Sequence, residues 1–266
     1  MLPVYNAIQL RSVIDEQSGH NKPWVVIADT GNSLETFVVK LFDVASDDQN
    51  HFITNEVISS ILASEFDFST PQPVLINFDQ IFSMYCSTQD ELDQLERTNG
   101  MPQFATKMIE SAPIANIYLP KRIYQKVAVL DSVYAFDNLI RNEDRSPFKP
   151  NMLLKKDELF LIDHEYSFSN IDFTGLNDLT LQDKYTRHHF FYQYLKSAIK
   201  KTKSNYFEDF SFYMHGLNMN RLDTYFNQLE QLGYSTNRMA ITNWLTLVKN
   251  NLPIFVNKLK ASLNNV

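Results

Sequence analysis

The sequence predicts an α+β fold, with a small β-rich N-terminal lobe and a larger helical C-terminal lobe. Two patterns carry that expectation. β-Branched and aromatic runs bounded by turn residues fill the first 110 positions, and apolar spacing of helical period takes over beyond Pro120. Length agrees: 266 residues suffice for two lobes sharing a cleft, divided as 1–111 and 112–266 and joined near Glu110 to Pro120. With 20 Phe and 13 Tyr, aromatic packing is a main contributor to the core.

Trp24 to Ala28 and Thr36 to Phe42 read as the strands of a hairpin, turning at Asp29-Thr30-Gly31-Asn32-Ser33. Val57, Ile58, Ile61 and Leu62 then fall at helical spacing, with Thr54 or Asn55 placed to cap the start. Pro71 and Pro73 stop that helix. Val74 to Phe78 reads as a strand, Gln89 to Arg97 as a short polar helix, and Gln103 to Ile109 as a further strand running into Glu110. From Ile123 to Ile140 one long amphipathic helix is expected, leading directly into Arg141-Asn142-Glu143-Asp144. A hairpin carrying Asn151 and Asp163 follows, then helices near 181–201, 205–214, 219–232 and 237–264.

Composition removes several function classes. A net charge of −7 and a pI near 5.4 give no global attraction to nucleic acid or anionic lipid. The one basic run, Lys196, Lys200, Lys201 and Lys203, reads as the solvated end of a helix, where cations offset the macrodipole. Only six glycines occur, and no glycine-rich dinucleotide or P-loop fingerprint is present. Cys86 is the sole cysteine, which excludes an intrachain disulfide. Together with the absence of a signal-peptide pattern or a spanning apolar run, it points to the cytoplasm and to no membrane contact. The adjacent His188 and His189 cannot chelate one ion from a helix, since their rings diverge by about 100 degrees. Hydrolase chemistry lacks both a nucleophile elbow and a partner for Cys86. The aromatics from Phe190 to Tyr194 and from Tyr206 to Tyr213 read as core or packing residues.

The informative stretch runs from Asn142 through Asp144, Arg145 and Asn151 to Leu161-Ile162-Asp163-His164-Glu165. Asp, Asn, Pro and Ser are ordinary turn formers. A turn alone gives no reason for the carboxylate of Asp163 directly after an apolar strand, whereas a metal site requires one there. The pattern of two carboxylates and an amide bracketed by short strands is that of a phosphotransfer site. Lys40, at the end of an apolar strand, and Glu56, in the next helix, supply the phosphate-directed lysine and its holding glutamate. Asp144 would be the base or orienting carboxylate, and Asn151 and Asp163 the metal ligands.

These motifs, in this order over residues 24–168, resemble the HipA-like kinases of the protein-kinase-like superfamily. The resemblance implies a bilobal protein-kinase-like fold and an ATP- and Mg2+-dependent kinase acting on protein Ser/Thr groups. It implies catalytic roles for Asp144 and Lys40, metal binding by Asn151 and Asp163, and nucleotide contacts at Lys40, Glu56, Gly31, Ser33, Met108 and Glu110. Arg145 would help to set the loop. Departures are present too. Asp144 and Asn151 are seven positions apart, longer than the loop of ordinary protein kinases, and Asp163-His164-Glu165 replaces the Asp-Phe-Gly triplet. Gly31 stands alone in the phosphate-covering turn, so backbone amides from Asp29 to Ser33 would cradle phosphate with the hydroxyls of Thr30 and Ser33. A catalytically silent nucleotide-binding or interaction module is the alternative. Any antitoxin or other regulatory partner would be a separate chain, since no DNA-binding element is visible.

Overall fold

The computed structural model describes residues 1–14, 22–47, 49–169, 171, 179, 181–199 and 205–264. The chain is α+β, with strands concentrated in the N-terminal region and helices in the C-terminal region. It divides into two compact units. Unit 1 comprises Met1–Ile58, Pro71–Glu110 and Asp223–Thr236, and unit 2 comprises Ser59–Thr70, Ser111–Leu222 and Asn237–Val266.

Unit 1 is built on a closed barrel. Its strands are β1 (Val4–Val13), β2 (Trp24–Asp29), β3 (Leu34–Val39), β4 (Pro73–Asn77) and β5 (Gln103–Lys107), in the spatial order β1-β2-β3-β5-β4. The expected hairpin is β2 and β3, antiparallel with Asp29 opposite Leu34. Alternate residues Trp24, Val26, Phe37, Val39, Val74, Ile76 and Ala105 fill the barrel, as the two-residue pleat requires. Strand β1 carries irregularities between Ala7 and Gln9 and between Leu10 and Ser12. Each bulge resets the alternation of faces, which is why no clean period marks this strand in the sequence.

Helix α1 (Phe52–Glu65) starts two residues before Thr54, so neither Thr54 nor Asn55 is its cap. The Thr54 hydroxyl instead donates to the Ser235 carbonyl at 2.9 Å. Helix α2 (Gln89–Arg97) occupies the expected span, with a capping box in which Thr88 and Glu91 each satisfy the other's backbone. Trp24 Nε1 donates to Gln94 Oε1 at 2.9 Å, tying α2 to the barrel. The segment Asp223–Thr236 belongs to this unit through specific bonds to its backbone: Gln228 pairs with both polar groups of Leu2, and the Tyr234 hydroxyl donates to the Pro102 carbonyl.

In unit 2 the single helix expected over 123–140 is two, α3 (Lys121–Val127) and α4 (Leu130–Leu139). Ala128 and Val129 are extended between them. The apolar positions stay in phase across the break, so periodicity cannot reveal it. Nor is α4 amphipathic. Only Asp131 of its ten residues is not buried, and Trp244 Nε1 donates to the Leu139 carbonyl at 2.6 Å.

The hairpin β6 (Met152–Lys155) and β7 (Glu158–Leu161) follows, with Ile114 bridged to Leu153 at its edge. The region expected as one helix over 181–201 contains α5 (Asp183–Thr186) and α6 (Tyr192–Ile199). Lys196 lies in the last turn of α6, while Lys200, Lys201 and Lys203 lie outside the described residues. Next come α7 (Glu208–Gly216), α8 (Asn220–Gln231), α9 (Arg238–Asn250) and α10 (Leu252–Asn264). The last two replace the single helix expected from 237 to 264, and Pro253 sits just inside α10, where its missing N–H costs nothing. Most of the expected core aromatics are buried, but Phe212 is 73% exposed and packs no core. Among the described residues no helix is long and apolar enough to cross a membrane.

Candidate active site

Unit 1 positions Lys40 and Glu56. Lys40 is the first residue after β3, and its N–H still donates to the Phe104 carbonyl at 3.0 Å, so the sheet ladder fixes its backbone. Its ammonium forms an ion pair with the Glu56 carboxylate from α1, as the order of strand and helix suggested. Glu56 is 1% exposed and Lys40 16%, so each charge is desolvated enough to depend on the other.

The turn between β2 and β3 holds Gly31 at φ +81°, a conformation suited to glycine. Three of its amides are spent internally: Thr30 N–H bonds the Ser33 carbonyl at 3.0 Å, Gly31 N–H bonds Asp29 Oδ1 at 2.8 Å, and Ser33 N–H bonds Thr30 Oγ1 at 3.2 Å. Ser33 Oγ donates to Glu35 at 3.3 Å. A phosphate cradle made from these groups would require the turn to open. Met108 and Glu110 lie just past β5 and are exposed; the Met108 N–H is held by the Thr36 carbonyl at 3.0 Å.

Unit 2 brings Asp144, Asn151 and Asp163 together. Asn151 Nδ2 donates to Asp144 Oδ2 at 3.1 Å and to its carbonyl at 3.3 Å. Lys149, given no role by its sequence position, is the common partner: its ammonium lies 2.5 Å from Asp144 Oδ2 and 3.5 Å from Asp163 Oδ2. Burial alone would lower the Lys149 pKa, but Asp163, Asp144 and Glu165 outweigh it and push it above the ordinary lysine value. The side chain stays charged. Carboxylate oxygens of Asp163 and Glu165 come within 4.8 Å of each other. Asn151 and Asp163 both adopt left-handed backbone, at φ +50° and +63°. Asn and Asp tolerate that region better than other side chains, which ties the residue types to the geometry as well as to the chemistry.

Arg145 holds this arrangement from beneath. Its side chain is fully buried and its guanidinium reaches the carbonyls of Pro150, Asn151 and Ile162, the backbone flanking both candidate metal ligands. Arg145 Nε donates to Asp137 Oδ2 of α4 at 2.6 Å. Burial tends to raise the Asp137 pKa, but the charge of Arg145 and the His189 hydrogen bond bring it down to about 2. Phe191 N–H donates to His189 Nδ1 at 3.1 Å, which puts the imidazole proton on Nε2, facing Asp137 Oδ2 at 2.9 Å. Burial lowers the His189 pKa against the opposing pull of Asp137, so the ring is neutral. Its role is structural, as the His188-His189 pairing suggested. Asp137 could have been noticed as an acid set between apolar residues on the buried side of the helical run; nothing local marks His189 as its partner.

The described oxygens suit a hard divalent cation. Asn151 bonds Asp144 through Nδ2 and offers Oδ1, Asp163 offers a carboxylate, and a positive group already sits against Asp144 and Asp163 in the form of Lys149. No curated protein matches the chain. A family model described as HipA-like kinase matches residues 11–217, a span that takes in Lys40, Glu56, Asp144, Lys149, Asn151 and Asp163 together with the buried Asp137, Arg145 and His189. With well over half of its length matched, and with phosphotransfer the activity thereby implied, the chain belongs to the HipA-like kinase family.

Proposed function

We propose that the chain is an ATP- and Mg2+-dependent kinase whose acceptor is a protein serine or threonine, with its two units serving as the lobes of a kinase-like fold. The observation that carries this reading is the convergence of Asp144 and Asp163 on one ammonium, that of Lys149, with Asn151 hydrogen-bonded to Asp144. Structural turns do not need two carboxylates on one cation. In this reading Lys40, oriented by Glu56, holds the α and β phosphates, and Asn151 and Asp163 hold magnesium. The metal would neutralise charge on the phosphate oxygens. Asp144 Oδ2 is occupied by Lys149 and Asn151, which leaves Oδ1 to accept the proton of, or orient, the acceptor hydroxyl. Lys149 then has a phosphate to follow when Asp163 turns to its metal. Met108 and Glu110 would contact the nucleotide base, and Gly31 and Ser33 its phosphates.

The silent-module alternative draws on one specific observation, the internally satisfied turn from Thr30 to Ser33. One experiment separates the two. The chain is incubated with labelled ATP and magnesium alongside lysate, and labelled peptides are identified by mass spectrometry, while nucleotide binding is followed by thermal shift. The kinase reading expects metal-dependent stabilisation and transfer to Ser or Thr, with Asp163→Ala removing the metal dependence. Stabilisation without transfer would favour the silent module, and no stabilisation at millimolar ATP would reject both.

A further inference from the structure

Unit 2 contains a cavity of about 190 Å³ that includes none of the candidate active-site residues. Its aromatic walls come from Phe66, Phe68 and Tyr213, its polar lining residues include Asp67, Asp209, Ser69 and Ser132, and no Lys, Arg or His lines it. Phe66 and Phe68 stack at 6.4 Å between centroids with an 8° interplanar angle, and Phe66 and Tyr213 lie 6.1 Å apart. The Tyr213 hydroxyl donates to Asp67 Oδ2 at 3.2 Å. Burial and the negative charges of Asp67 and Asp209 push the Tyr213 pKa up. Ser132 is 2% exposed on α4, and its Oγ has no hydrogen-bond partner. An unpaired buried hydroxyl is unfavourable unless a guest or a water completes it.

We propose that this cavity binds a small organic cation, an ammonium group carried on an aromatic or short aliphatic body. The body matches the apolar walls, and the volume matches a single ring, since an apolar cavity of about 150 Å³ accommodates benzene. The charge matches the two carboxylates at the mouth and the negative faces of the aromatic rings. Ser132 Oγ offers the remaining acceptor. A hydrated divalent metal fits less well, because most of the lining is carbon and such ions require several oxygen donors.

Benzylamine is the probe and benzyl alcohol its neutral counterpart, each titrated into the full chain without nucleotide and followed by ligand-observed NMR. Leaving nucleotide out makes the result independent of the kinase reading. Benzylamine is expected to saturate one site, with benzyl alcohol about tenfold weaker because it lacks the charge-assisted contacts. Asp67→Asn and Asp209→Asn, both at exposed positions, should together weaken benzylamine about tenfold and leave the alcohol within about twofold. Ser132→Val should weaken both ligands by removing the hydroxyl acceptor and narrowing the cavity. Equal binding of amine and alcohol, indifference to the two Asn substitutions, or no saturable benzylamine binding in the millimolar range would each overturn the proposal.

Discussion

The candidate residues of unit 1 and those of unit 2 are held by different physics. In unit 1 the Lys40–Glu56 pair hangs on regular secondary structure: a strand end whose ladder continues through Lys40, and a buried helix carrying Glu56. In unit 2 the groups sit on irregular backbone, with Asn151 and Asp163 in left-handed conformations and their flanking carbonyls gathered by one buried guanidinium. Regular elements place a side chain through local hydrogen bonds repeated along the chain. The unit 2 loop has no such repetition, so its geometry depends on Arg145, and Arg145 depends on Asp137. Damage in unit 1 should therefore stay local, and damage in the unit 2 loop should spread.

Asp144→Asn makes the sharpest cut, since it removes the base or orienting carboxylate while keeping the shape of the side chain. Fold and nucleotide binding should persist while phosphotransfer falls about 10²–10⁴-fold. A variant with unchanged rate in a confirmed assay would remove Asp144 from the chemistry. Next in size is Arg145→Met, which leaves Asp137 as an uncompensated buried charge. A loss of about 3–5 kcal/mol is expected in urea denaturation, accompanied by loss of metal-dependent nucleotide binding. If stability drops by less than about 1 kcal/mol, the dependence of the loop on this guanidinium is wrong.

The corresponding test in unit 1 is a double-mutant cycle on Lys40→Met and Glu56→Gln. Each removes the same ion pair, so their effects on nucleotide affinity should be non-additive, with a coupling of about 1–3 kcal/mol. Additive losses would show that the two side chains act separately. The smallest effect concerns acid. The His189 pKa is lowered from 6.5, so on acidification the unfolded chain takes up a proton first and stability declines below pH 6.5. Asp137, lowered from 3.8 to about 2, contributes stability that is complete above pH 3.8 and is lost as pH falls through about 2. His189→Gln should flatten the upper part of the stability profile and leave the lower part in place; an unchanged profile above pH 4 would show that His189 is not held neutral in the folded state.

Much of the fold is legible because its signals are local. The β2–β3 hairpin, α2 and the β6–β7 hairpin fall where β-branched and aromatic runs, a short polar segment and turn residues place them. The misses have definite causes. Bulges erased the alternation of β1, and the apolar phase runs unbroken through the gap between α3 and α4. The break between α9 and α10 was signalled by Pro253 but masked by strong helical spacing on both sides. Lys149 is not legible in the sequence, because a lysine in a polar loop has no pattern until its carboxylate partners are in place.

The sequence by itself determined which groups are present and in what order: a lysine after an apolar strand, a glutamate in the next helix, and Asp144, Asn151 and Asp163 around a short hairpin. Spacing of this kind is a property of the chain and survives any folding. Tertiary structure alone decided that Lys149 would bridge Asp144 and Asp163, that the turn at Gly31 would consume its own amides, and that Asp137 and His189 would meet from 52 positions apart to lock Arg145. Such contacts arise from burial and charge pairing between distant segments, whose free energy depends on where the chain brings them and leaves no trace in local composition.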